Sequence, residues 1–314
     1  MAQYDDFGTH VNRQRPTPAD AAHAVFAVAN PAALGDIPRM VKRTGKPRKQ
    51  PGGRRPGGPP SGRGLRRDEH TVLLYGIHAV RAALANPARN VRRLLATQQG
   101  LAALRETGEP ATRVQPETVD RETLDGMLAP DTPHQGLVLE ADHLEDDSLF
   151  DLLAGLGENT PALVVVLDQI TDPQNMGAIL RSCAAFGAVG IVATERHSAQ
   201  AGGALAKAAS GALEIVPVCR ETNLARALDQ LAEAGFWRIG LDGGAGRVFN
   251  GTEAPARLAL VLGAEGKGLR RLTREHCDEL AGLPMSGRME SLNVSNAAAV
   301  ALYEARRVFL FGQS

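Results

Sequence analysis

Arg181 is the side chain in this sequence whose position most needs a chemical reason. It stands among Ile179, Leu180, Cys183 and Ala184, on a stretch with helical spacing that is otherwise apolar. A guanidinium there would be desolvated unless something anionic meets it. The same stretch begins at Leu167-Asp168-Gln169-Ile170-Thr171-Asp172-Pro173-Gln174-Asn175. Asp172 and Pro173 form an ordinary N-cap and N1 pair, so helix initiation accounts for those two residues. A second segment, Leu262-Gly263-Ala264-Glu265-Gly266-Lys267-Gly268-Leu269, places three glycines around one carboxylate. Glycine lets backbone amides approach a ligand closely, although a tight turn has the same composition. The segment lacks the G-x-G-x-x-G order, and Gly268 follows Lys267 where a phosphate-binding P-loop has Ser or Thr. A third segment runs from Leu283, Pro284 and Met285 through Ser291, Leu292 and Asn293 to Asn296, crowding five uncharged polar side chains at the entry of an Ala-rich helix. Ser291 is placed to cap that helix, which leaves Asn293, Ser295 and Asn296 without a structural reason.

These segments need a scaffold, and the patterning supplies one. From Pro161 onward short apolar runs alternate with helical spacing, as in an α/β domain with a mainly parallel sheet covered on both faces. The expected strands are Ala162–Gln169, Gly190–Thr194, Glu214–Val218, Trp237–Asp242, Ala259–Gly263 and a short Ala281–Pro284. The expected helices are Asn175–Phe186, Gly203–Ala209, Asn223–Ala234, Leu269–Cys277 and Leu292–Val308. In such sheets ligands sit beyond the carboxyl ends of the strands, where all three segments fall. A smaller α/β domain precedes, over 71–144, and 145–160 reads as a linker with a short helix at Ser148–Leu156.

Residues 1–70 are expected to be a disordered basic tail, because they hold too little apolar surface to offset ordering entropy. Pro38 to Arg67 carries eleven Lys or Arg and no acid, leaving twenty-four basic against thirty-five acidic residues elsewhere, so the formal net charge of zero hides a strong asymmetry. Such a run attracts phosphate backbones by counterion release and loses its grip as salt rises; a solvated linker is the plainer alternative. Its prolines and glycines exclude an amphipathic transit helix. No apolar run reaches the roughly 20 residues that span a bilayer, so no membrane partner is expected. Cys183, Cys219 and Cys277 are far apart and form no C-x-x-C pair, which implies reduced thiols in a cytoplasm and no metal site.

In this order and spacing, the three segments resemble the three motifs of the SPOUT methyltransferases, in the branch that methylates ribose 2′-hydroxyls of tRNA and rRNA. The resemblance extends from about Leu73 to Phe311. Ala206-Lys207-Ala208-Ala209-Ser210-Gly211-Ala212-Leu213-Glu214 and Thr222-Asn223-Leu224-Ala225 are phrases typical of that branch. Tyr75-Gly76-Ile77-His78-Ala79-Val80 and Thr132-Pro133-His134-Gln135-Gly136-Leu137 resemble its substrate-binding domain, which is similar to the L30e ribosomal protein and accompanies enzymes acting on a guanosine of 23S rRNA.

The resemblance implies S-adenosylmethionine as cofactor, RNA as substrate, a homodimer and a deep trefoil knot in the catalytic domain, 161–314. Chain topology alone would imply an unknotted doubly wound fold. It further implies that Gly263, Leu283 and Leu292 bind the cofactor through main-chain groups, with Met285 and Ile170 as apolar walls. Asn175, Arg181, Glu265, Ser291 and Asn293 match the family's polar active-site positions. Arginine stays protonated at a pKa of about 12.5 or more, so Arg181 suits a phosphate and oxyanion clamp better than a base, with Glu265 placed to hold it. Asn296 departs from the family pattern, where a small apolar residue is more usual. Two other readings are a catalytically silent rRNA-binding assembly factor and a tRNA guanosine methyltransferase. A dinucleotide-dependent oxidoreductase is disfavoured by the missing phosphate fingerprint.

Overall fold

A computed structural model of the chain describes residues 71–108, 113–158, 160–196, 198–199, 202–251, 255–289 and 291–311. The expected basic tail lies outside them. The first unit is β1 (Thr71–Tyr75), α1 (Ile77–Ala85), β2 (Val91–Ala96), α2 (Gln98–Glu106), β3 (Pro116–Thr118), α3 (Arg121–Met127) and β4 (Leu137–Asp142). Its sheet has the order β1-β4-β2-β3. β4 runs antiparallel to both β1 and β2, and β2 runs parallel to β3.

The second unit contains α4 (Leu149–Ala154), β5 (Ala162–Asp168), α5 (Pro173–Phe186), β6 (Gly190–Thr194), α6 (Gly203–Ala209), β7 (Val218–Glu221), α7 (Leu224–Glu233), β8 (Trp237–Leu241), β9 (Arg257–Gly263), α8 (Arg271–Glu275), β10 (Glu279–Ala281) and α9 (Val294–Phe311). Its six strands are parallel throughout, in the order β10-β8-β9-β5-β6-β7. β5 is buried along its whole length, as a central strand covered on both faces must be. The carboxyl ends of all six strands therefore face one rim.

Most elements shift by one to three residues from the sequence expectation, and three of the shifts have a local cause or bear on the site. The strand expected at Glu214–Val218 is instead Val218–Glu221, preceded by a 3-10 turn at Ala212–Glu214. Ser210 and Gly211 both take positive φ, which stops α6 and turns the chain. Pro217 follows, without an N–H to donate to a ladder, so pairing starts after it. The helix expected from Leu269 starts only at Arg271, because Asp168 holds Arg270 in extended geometry: Arg270 N donates to Asp168 Oδ2 at 3.0 Å and Arg270 Nε to Oδ1 at 2.6 Å. The last strand ends at Ala281, short of the expected Pro284.

The stretch expected to be a linker is packed. Ser148 caps α4, and Leu149 and Leu152 are buried against Val164, Val192 and Cys219 of the main sheet. Asp147 N donates to the Val218 carbonyl at 3.1 Å, so α4 is tied beside β7. Among the described residues no helix is long and apolar enough to cross a membrane, and no group of three or more His, Cys, Asp or Glu is placed to hold a metal ion.

Candidate active site

A cavity of about 590 Å³ opens beyond the carboxyl ends of β8, β9 and β10. Its walls come from Leu241–Gly243 after β8, Leu262–Gly266 and Gly268 around the end of β9, Leu283 and Met285 after β10, and the approach to α9 from Ser291 to Val294. A site of this size suits a small organic cofactor. Backbone dominates its inner wall for a local reason. A Cβ on Gly263 would run into the Gly268 carbonyl and Leu269 N, so only glycine lets the loop fold back on the strand end. The Gly268 N–H closes that turn on the Ala264 carbonyl at 2.8 Å.

Glu265 gathers the polar side chains at the mouth. Its Oε1 accepts from Asn293 Nδ2 at 2.6 Å, from Asn175 Nδ2 at 3.2 Å and from the Val294 N–H at 3.3 Å. Asn293 Nδ2 also donates to Asn175 Oδ1 at 2.9 Å. The other end of the Asn293 amide accepts from Ser295 N at 2.9 Å and Asn296 N at 3.3 Å, so Asn293, not Ser291, caps α9. One amide thereby starts the helix and fixes the direction in which its NH₂ points. Ser291 lines the cavity instead.

Of the remaining sequence-identified residues, Gly263, Leu283, Met285 and Leu292 also line the cavity. Met285 and Leu292 keep 38% and 42% of their surface exposed, so two apolar side chains stay open on the cavity wall. Ile170 is not among the lining residues. It is buried in the core, its carbonyl accepting from Ala199 N at 3.1 Å. Arg181 is exposed, and among the described residues no carboxylate pairs with it. The expected Glu265–Arg181 contact is replaced by the Glu265–Asn175–Asn293 cluster, and the expected desolvation of the guanidinium is absent. The face of α5 that bears Arg181 is open, whereas Met176, Ile179, Leu180 and Cys183 fill the core.

Sequence reading missed the Leu241–Gly243 wall. Asp242 there accepts from Gly244 N at 2.8 Å and is ion-paired with Arg274 of α8. The Asp242-Gly243-Gly244 run at a strand end was the available signal.

Residues 162–303 match the SpoU rRNA Methylase family, and residues 73–146 match a family described as RNA 2′-O ribose methyltransferase substrate binding. The chain is 38% identical over 249 residues to the 23S rRNA (guanosine-2′-O-)-methyltransferase RlmB of Escherichia coli K12, covering 75% of this chain and 98% of that protein. The chain belongs to the SpoU rRNA methylase family. RlmB of Ralstonia nicotianae is 43% identical over 244 residues, covering 75% of this chain and 95% of its own length. Among solved structures, the SpoU methyltransferase AviRb of Streptomyces viridochromogenes in complex with AdoMet superposes with a TM-score of 0.63 at 26% identity, over 81% of this chain and 96% of that one. The SpoU segment contains every cavity-lining residue, and the substrate-binding segment forms most of the first unit.

Proposed function

We propose that the chain transfers a methyl group from S-adenosylmethionine to the ribose 2′-hydroxyl of a guanosine in 23S rRNA. The observation that carries this is the glycine-walled cavity closed by the Glu265–Asn175–Asn293 cluster, in a chain spanning almost the full length of RlmB. The residues present fit the cofactor, because glycine at 263 lets the loop fold back on the strand end and leaves the turn's main-chain groups on the cavity wall. Gly263, Leu283 and Leu292 hold it through their backbone, with Met285 as an apolar wall. Bound there, S-adenosylmethionine supplies a methyl group made electrophilic by its sulfonium.

Glu265, through Asn175 and Asn293, keeps the mouth of the pocket in one geometry. In-line placement of two reactants is worth several kcal/mol of barrier, so rigidity here is catalytic currency. Ser291 and Asn293 face the ribose. Arg181, exposed and without an ion pair among the described residues, is available to a substrate phosphate and to the oxyanion that develops as the hydroxyl attacks. As the ribose oxygen takes up the methyl group, its hydroxyl proton would pass to water or to a neighbouring phosphate. A permanently protonated guanidinium stabilises that charge but does not take the proton.

The first unit is read as the L30e-like RNA grip over 71–144 and the 1–70 segment as a sequence-blind electrostatic arm. Val300 and Tyr303, 48% and 52% exposed on α9, support a homodimer through that helix. The catalytic unit is read as carrying the family's deep trefoil knot, with α9 packed back on α5. A cytoplasmic location follows from a ribosomal RNA substrate.

Incubating the protein with labelled S-adenosylmethionine and unmodified 23S rRNA tests the reading. Label on one guanosine ribose supports it. Label on tRNA alone replaces the substrate, and binding of cofactor and RNA without transfer replaces the enzyme with an assembly factor.

A further inference from the structure

The catalytic chemistry leaves three phrases of the sequence unused: Tyr75–Val80, Thr132–Leu137 and Ala206–Glu214. The structure brings all three to one seam between the two units. Arg89, only 2% exposed, donates Nε to Glu214 Oε2 at 3.2 Å and Nη1 to the Asp142 carbonyl at 2.9 Å, while its Nη2 pairs with the other Glu214 oxygen. Asn86 Nδ2 adds a hydrogen bond to Glu214 Oε2 at 2.8 Å. Glu214, 4% exposed, is thus satisfied entirely from the first unit.

Close packing surrounds this pair. A Cβ on Gly203 would strike the Leu73 carbonyl and the Tyr75 ring, and one on Gly211 would meet Ala82. Lys207 Nζ donates to Gln135 Oε1 at 2.6 Å, and Ile77 N to the same oxygen at 3.2 Å. Apolar residues of both units, from Leu74 and Ala83 to Leu205 and Leu213, belong to one continuous core. α6, which carries the seam, also packs on α5 with Gly177 against Ala208, and α5 bears Asn175 and Arg181.

We infer that the seam pinned by Arg89 and Glu214 is a positioning device for the methyl transfer: it locks the RNA-gripping unit to α6 and the 3-10 turn that follows it, and so holds rRNA at one fixed distance and angle from Arg181. This rests on the proposed rRNA reading. A desolvated, bidentate pair specifies one docked arrangement, whereas a tethered module would sample many and lower the effective concentration of the target ribose at the site.

The seam is opened without burying a charge by Ala82→Leu on the first unit or Gly203→Leu on the second. Each full-length variant is compared with wild type by small-angle scattering, S-adenosylmethionine affinity and steady-state methylation of 23S rRNA. The expected result is a larger radius of gyration, unchanged cofactor affinity and a rise of about tenfold in KM for rRNA with little change in kcat. Separated units with an rRNA KM within about twofold of wild type overturn the inference. Loss of cofactor affinity together with rRNA affinity in both variants also overturns it, since the seam would then be a stability element of the whole fold. If wild type methylates no 23S rRNA, it is the functional reading that fails.

Discussion

Asn293 and Glu265, 28 residues apart, meet at the mouth of the cavity with Asn293 Nδ2 donating to Glu265 Oε1 at 2.6 Å. The same carboxylate oxygen receives Asn175 and the first backbone N–H of α9, so three chain segments converge on one atom. A charged acceptor is needed there because all three partners are donors. Glu265→Gln keeps the size but loses the charge and brings an amide that can face these donors with the wrong end. It should lower kcat/KM for methyl transfer by about tenfold. Steady-state kinetics checks this, and a variant as active as wild type would remove the carboxylate from the account.

Arg181 makes no structural ion pair among the described residues, which separates its catalytic contribution from stability. Arg181→Ala should melt at the wild-type temperature and bind S-adenosylmethionine normally, while kcat falls by about 100-fold, the scale of losing one charge-stabilising group. Calorimetry and thermal melting on the same sample as the rate assay check the three quantities together.

Gly263→Ala should behave in the opposite way. Its Cβ collides with the Gly268 backbone, so the loop must shift off the strand end. Cofactor affinity should fall by at least about tenfold, with a lowered melting temperature, because both depend on the same turn. Titration calorimetry reads the first and circular dichroism the second.

The buried Arg89–Glu214 pair gives a stability prediction. Glu214→Ala leaves a guanidinium buried without its carboxylate and should cost about 3 kcal/mol, the usual penalty for removing one member of such a pair. Replacing both residues by methionine should recover most of that loss in urea unfolding.

Burial raises the thiol pKa of Cys219 and Cys277 to about 12 and that of Cys183 higher still. Thiolate is the reactive form, so at pH 7 to 8 all three should resist a thiol reagent in the folded protein and react together on unfolding. Rapid labelling of any one of them in the native state would contradict the packing.

The order of strands and helices in the catalytic unit was legible because buried parallel strands read as apolar runs, and Leu163 to Leu167 is one. The three segments at strand ends were legible for the same reason, since an α/β sheet gathers its loops on one rim. Which loop touches which was not. Arg181 was expected to be desolvated and held by Glu265, but helical spacing gives the apolar stripe without saying that the opposite face is left open. Ser291 was expected to cap α9 because hydroxyl residues do so, yet Asn293 sits two positions nearer the first helical turn. The seam between the units was invisible in sequence, since Gly203 to Ala209 reads as a plain small-residue helix and Glu214 as the start of a strand until Leu73 and Arg89 are brought against them.

Single-turnover methyl transfer to unmodified 23S rRNA, with wild type and Arg181→Ala side by side and the methylated nucleoside mapped, tests the central claim most directly. The account predicts one 2′-O-methylguanosine formed by wild type and almost none by the variant, with equal cofactor binding in both. Transfer to a base atom, or an unimpaired Arg181→Ala variant, would contradict it.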